Sequence, residues 1–527
     1  MFADSVDSDI APSGTLLGLL QRGRGDGTLH ALAAPRAEAL AALSHCLRCD
    51  PRRDWRLEHR SLYYARLHVE LDAGLDDIEE HLFGPDDLTD TGEERTGLAL
   101  SVLGHLASYG DRGALLLLRR YAARGANWRW ALDELAVRDD DAGLRPLGPA
   151  VLARFPRTPE GDAELAAAVR DAFEPRPWRL WAEDPTRPEQ GERLAHAREQ
   201  GSFGRWQRQM RPSGPRPGWS VRAVLDWAQE GDRLLSADPT ADPAADPAAD
   251  PAADPAVGGP LASGPAGPGA PAGRDPRHRE AAAARCLAAV AGPEDRPELL
   301  DAARSGPGIA RAVALRHLAE RGDPAALDLI EAAVADPAAS GAGEPSGTAA
   351  RAALDALARM RGAAALDRAR RWARREDALG TAAAALLACH GTDRDAPLVL
   401  AALRRTVCAE GPDCDGLRPL VDGAGRLAVH RAAPLLRHVY RETSSSQLRG
   451  RAARALAATD PSFAAGFAIE CLWDCEESTR EIAARHAATG DTRVVERLRR
   501  LAADPAEEEG VQSAVRGRLD SDGAPAR

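Results

Sequence analysis

Residues 173 to 222 gather the side chains best suited to recognition chemistry. Trp178, Trp181, Trp206 and Trp219 alternate there with Arg176, Arg179, Arg205, Arg208, Arg211, Arg216 and Arg222. Between Gly201 and Arg222 five arginines meet no acid, a local charge of +5 inside a chain whose formal net charge is −12. An indole offers a face for stacking, and a guanidinium a permanently charged planar fork. Together they suit packing within a fold, a docking surface for a protein, or contact with the bases and phosphates of single-stranded nucleic acid. Asp226 beside Trp227 adds an acid next to an aromatic ring, as a base-processing site would need. The plainest use is structural, with the rings packed as a cap on the helices before them and the arginine stems laid over the rings. On the other two readings the binding residues are Trp178, Trp181, Arg205, Trp206, Arg208, Arg211 and Trp219.

The remaining reactive residues form weaker patterns. His45, Cys46 and Cys49 make an H-C-x-x-C cluster, and Cys471 and Cys475 a C-x-x-x-C pair. Zinc needs four ligands in one place, and these pairs lie far apart along the chain, so buried or partly exposed thiols are the default and no metal is expected. Cys408 and Cys414 flank a Gly-Pro-Asp turn read as loop, where a reversible disulfide is conceivable. The chain has no lysine, which rules out a lysine Schiff base or phosphate cradle, and neither a Gly-rich phosphate loop nor a G-x-S-x-G elbow occurs. Asp76-Asp77 and Asp139-Asp140-Asp141 suit helix starts, where the dipole favours acids. No cofactor is expected.

The elements that must position these residues are helical. Of 527 residues, 44% are hydrophobic but only 4% aromatic, with alanine and leucine supplying most of the apolar content. The acidic start of the chain does not fit a signal peptide, and no apolar run is long enough to span a membrane. A cytoplasmic protein without a membrane partner is expected. One phrase recurs. His105-Leu106-Ala107-Ser108-Tyr109-Gly110-Asp111 leads into an apolar second helix, as does His317-Leu318-Ala319-Glu320-Arg321-Gly322-Asp323. Anchors at Leu106 and Leu135, and later at Leu287, Leu318, Leu357, Leu387, Leu427, Leu456 and His486, step by about 30 residues. Longer steps coincide with insertions at 336–347 and 408–416. Ala-Asp-Pro recurs from Ala241 to Ala256, where proline every fourth residue forbids a helix. The expected organisation is a solenoid over 1–236 with a Trp/Arg-rich cap at about 173–236, a disordered linker over 237–277, and a second solenoid over 278–527.

The set Ala314, Leu315, Leu318, Ala319, Gly322 and Asp323, with Leu103, Leu106, Ala107, Gly110 and Asp111, resembles the HEAT repeat in the short form of phycobilisome-lyase-type proteins. Sets around Leu456 and Ala487 match less fully, and 173–222 departs from the pattern. The resemblance implies an all-α solenoid of helix pairs whose concave wall grips a protein partner of unknown identity, and hence a non-enzymatic scaffold. Some proteins of this architecture are di-iron hydroxylases with His-Glu dyads; none of the 13 histidines here is followed by glutamate. The other class of function to weigh is nucleic-acid binding or base processing through 201–227. A chromophore-binding chaperone is a further alternative.

Overall fold

A computed structural model describes residues 10–51, 60–88, 93–210, 218–236, 276–335 and 345–523. Among these the secondary structure is helical throughout, with no strand. The linker expected over 237–277 lies outside the described residues except Pro276 and Arg277. Those two open the helix Pro276–Val290, where proline's missing N–H costs nothing at a helix start.

The recurring phrase is one turn used many times. Leu106 O accepts from Asp111 N at 3.0 Å and Ala107 O from Gly110 N at 3.0 Å, while Leu318 O and Ala319 O accept from Asp323 N and Gly322 N at 2.9 Å each. This pair of bonds ends a helix and requires a left-handed residue, which Gly110 (φ 91°) and Gly322 (φ 70°) supply. The aspartate that follows starts the next helix. Asp111 Oδ1 accepts from Gly113 N and Ala114 N, and Asp323 Oδ1 from Ala325 N. The same bonds recur around Gly23, and also around Asp72 and Ala428, both at φ 47°. The helix over Asp76–Leu82 begins with the paired acids, and Asp140 accepts from Gly143 N at 2.8 Å at the start of Asp141–Leu144. Cys408 is corrected from loop to helix: it lies within Ala396–Glu410, and the turn begins at Gly411.

Contacts divide the chain into two compact units, residues 1–210 with 403–527, and residues 211–402. The expected boundaries at 236 and 278 both fall inside the second. In that unit Val221–Ser236 packs on Pro276–Val290 and on Gly308–Glu320, and successive helices continue to Ala378–His390. Ser220 caps Val221–Ser236 by accepting from Ala223 N at 3.2 Å. In the first unit Arg60–Glu70 packs on Glu93–Ser108, then Arg112–Arg124 on Trp128–Arg138, and Pro159–Asp171 on Pro188–Met210.

The first unit also joins sequence-distant ends. Cys475 N donates to Gly23 O at 2.9 Å, Arg24 Nη1 to Arg441 O at 2.7 Å, and Ser13 Oγ to Glu442 Oε2 at 2.7 Å. Arg66 pairs with Asp504 at 2.7 Å and with Glu507 at 3.0 Å, and Tyr109 donates to Asp504 Oδ2 at 3.2 Å. Arginines do much of this joining from inside. Arg449 forks onto Asp474 at 2.7 and 3.1 Å, and Arg480 onto Glu507 at 2.9 and 2.7 Å, with all four side chains at most 1% exposed. Arg480 also donates to Asp474 O and Cys475 O, so each buried guanidinium is spent on carboxylate and backbone oxygens together.

Candidate functional site

The Trp/Arg stretch is divided by the structure. The helix Arg176–Ala182 carries Trp178 and Trp181 three residues apart, on one face, and buries both: they are 4% and 1% exposed. Their rings meet edge to face at 5.3 Å, and Trp178 meets Trp128 in the same way at 6.3 Å. The Trp181 indole N–H donates to Leu144 O at 2.9 Å, and Gly148 leaves the room its ring fills, since a Cβ there would lie 3.0 Å from it. Neither ring offers a face to a partner. Arg205, Trp206 and Arg208 stand on the helix Pro188–Met210, but their side chains, and Arg211 altogether, lie outside the described residues. Trp219 is half-buried and belongs to the second unit, as does Trp227, over which Arg279 stacks at 4.8 Å while donating to Trp227 O at 2.9 Å.

What the stretch does expose was not singled out by its sequence. Phe173, just before the buried pair, is 80% exposed, and Val137 is 60% exposed. Arg176 brings their segments together. It donates to Ala136 O at 2.9 Å and Asp139 O at 2.8 Å and pairs with Asp141 at 2.6 Å, satisfying carbonyls left open at the end of the helix Trp128–Arg138. Upstream, Glu174 acts electrostatically on the Asp133 carboxylate, which stands one turn before Val137 on the same helix face. Burial, then Glu134 and Glu174, push the Asp133 carboxyl up to about 6, against the Glu174 N–H and Arg129. Glu134 is held by Arg138 and by Ser101 Oγ at 2.8 Å. Phe173 and Val137 are thus two exposed apolar side chains on segments that Arg176 joins.

The cysteine pairs that were far apart in sequence share one unit. Cys46 and Cys475 are buried in the same apolar core, and the Cys471 thiol and the Tyr440 hydroxyl are 3.1 Å apart. Among the described residues no three histidine, cysteine or acidic side chains are placed to hold a metal ion, and no disulfide forms. The Cys414 thiol donates to Glu410 at 2.7 Å, and burial and that carboxylate push it up to about 11, which disfavours the thiolate. In the second unit Glu320, Ala358, Arg359, Arg361 and His390 line a cleft of about 470 Å³, where Arg359 already faces Glu320 at 3.6 Å.

No described helix is long and apolar enough to cross a membrane. Comparison with family models, with curated proteins and with solved structures found no match.

Proposed function

We propose that this chain is a non-enzymatic protein-binding scaffold built from HEAT-like helix pairs, and that Phe173 and Val137 receive an apolar, basic segment of a partner protein. The observation that carries the reading is the exposure of Phe173 and Val137. An aromatic ring 80% exposed and a valine 60% exposed stand on segments that Arg176 ties together, and a partner that covers both would remove that apolar surface from water. Asp133 and Glu174 in the same neighbourhood favour a partner of positive charge. The repeated turn supports the repeat architecture: two bonds and a left-handed residue recur at both full copies of the sequence phrase, after Leu106 and after Leu318.

The test is affinity capture with the full chain, with and without nuclease, against the double variant F173S/V137S. Both side chains are exposed, so the variant's melting temperature is expected to stay within about 1–2 °C of the parent. A captured protein that survives nuclease and is lost with the variant supports the scaffold. Capture that depends on nucleic acid, or that the variant leaves unchanged, overturns the assignment to these two residues.

A further inference from the structure

The two full copies of the recurring phrase differ in what meets their polar side chains. In the first, His105 Nε2 lies 3.2 Å from Ser61 Oγ, and Tyr109 donates to Asp504 Oδ2 at 3.2 Å. The same positions in the second copy hold His317, in the last turn of the helix Gly308–Glu320, and Arg321, which caps it. His317 is only 6% exposed, and among the described residues no hydrogen-bond partner meets its ring nitrogens. The exposed Arg321 guanidinium has neither ion pair nor hydrogen bond among those residues. A buried imidazole without a partner loses solvation that a bound polar group restores.

Both residues line one cleft of about 180 Å³, and they stand one turn apart on the same face of their helix. Ala291, Leu299 and Leu318 give the cleft an apolar wall. The acids around it are already taken. Asp323 accepts from Arg296 at 3.0 Å and from Ala325 N at 2.9 Å, while Glu320 accepts from Arg316 at 2.9 Å and faces Arg359 at 3.6 Å. Arg296 and Asp323 cancel, so Arg321 is the uncompensated charge among the lining residues.

We propose that this cleft binds a small organic acid: its carboxylate accepts from the Arg321 guanidinium and from the His317 imidazole, and its short apolar tail lies against Leu299 and Leu318. A carboxylate is a planar acceptor that matches the guanidinium fork. Burial, then Arg321, hold the His317 imidazole below its ordinary value, against Glu320, so at pH 7 the ring is neutral and has one N–H to donate. A space of this size holds about six water-sized groups, the extent of a four-carbon acid. Inorganic phosphate would meet the same two donors and leave the apolar wall uncovered.

The experiment titrates the full chain at pH 7 and constant ionic strength with acetate, butyrate and inorganic phosphate. Binding is read by calorimetry and by the imidazole NMR signal that H317N removes. Butyrate is expected to saturate one site with a dissociation constant on the order of 1 mM and to shift the His317 signal. Acetate, two methylenes shorter, is expected to bind about tenfold more weakly. R321Q, changed at an exposed position that leaves the fold intact, is expected to weaken butyrate by about tenfold or more. R394Q removes an exposed charge that does not line the cleft and is expected to change nothing. No saturation by about 50 mM butyrate, an unmoved His317 signal, phosphate binding as tightly as butyrate, or an R321Q that binds like the parent each overturns the proposal. If H317N fails to fold, the calorimetric ratios of butyrate to acetate and of parent to R321Q decide by themselves.

Discussion

Ala428 occupies the left-handed position that glycine fills at Gly110 and Gly322, at φ 47° and exposed to solvent. An alanine held there carries about 1–2 kcal/mol of backbone strain. A428G is therefore expected to raise stability by about 1 kcal/mol, the glycine's greater unfolded-state freedom offsetting part of the gain. G110A, in open space at φ 91°, is expected to cost about 1–2 kcal/mol; urea midpoints at constant slope check both. The Gly-Asp turns were legible in the sequence because glycine has few other reasons to stand between two apolar helices. The turns at Ala428 and Asp72 were not, since their residues carry no such mark and only tertiary packing imposes the conformation. Arg449 and Arg480 were equally hidden. Arginine is by default a surface residue, and nothing local distinguishes one that a distant carboxylate will bury.

The helix Arg176–Ala182 shows where legibility stops at the level of an element. Tryptophans three residues apart must share a face, and the sequence shows that much, but a buried face and a binding face have the same spacing. The choice is made by Gly148, Leu144 and Trp128, which arrive from other elements. W181A is expected to cost about 3–5 kcal/mol, since it empties a fully buried site and leaves Leu144 O without its donor. W181F should retain much of the packing and lose the hydrogen bond, falling between the two in melting temperature. Arg176, half-buried beside the pair, ties this helix to its neighbour through backbone carbonyls, so this arginine is spent on the fold. The same tie fixes the chain three residues after the exposed Phe173.

Across the first unit, the union of residues 10–109 with 441–507 had no counterpart in the sequence. Periodicity speaks of neighbours about 30 residues apart, whereas Arg66 and Glu507 meet across 441. Glu507 gives this union a pH dependence. Burial pushes its carboxyl up, but Arg480 and Arg66 outweigh burial and hold it at about 2. A carboxylate depressed in this way stabilises the fold fully above its unfolded value near 4.5 and loses the contribution as pH falls toward 2. The stability gap between the parent and E507Q is expected to shrink by about 3 kcal/mol over that range, read from denaturant midpoints.

The bond between Arg24 and Arg441 spans 417 residues of chain. A ribosome adding about 5–20 residues per second needs roughly 20–80 s to make that much polypeptide. For all of that time Gly23, Gly25 and the Arg24 guanidinium exist without the C-terminal groups that meet them. The segment around Arg24 thus completes its packing only after residues more than 400 positions later have been made.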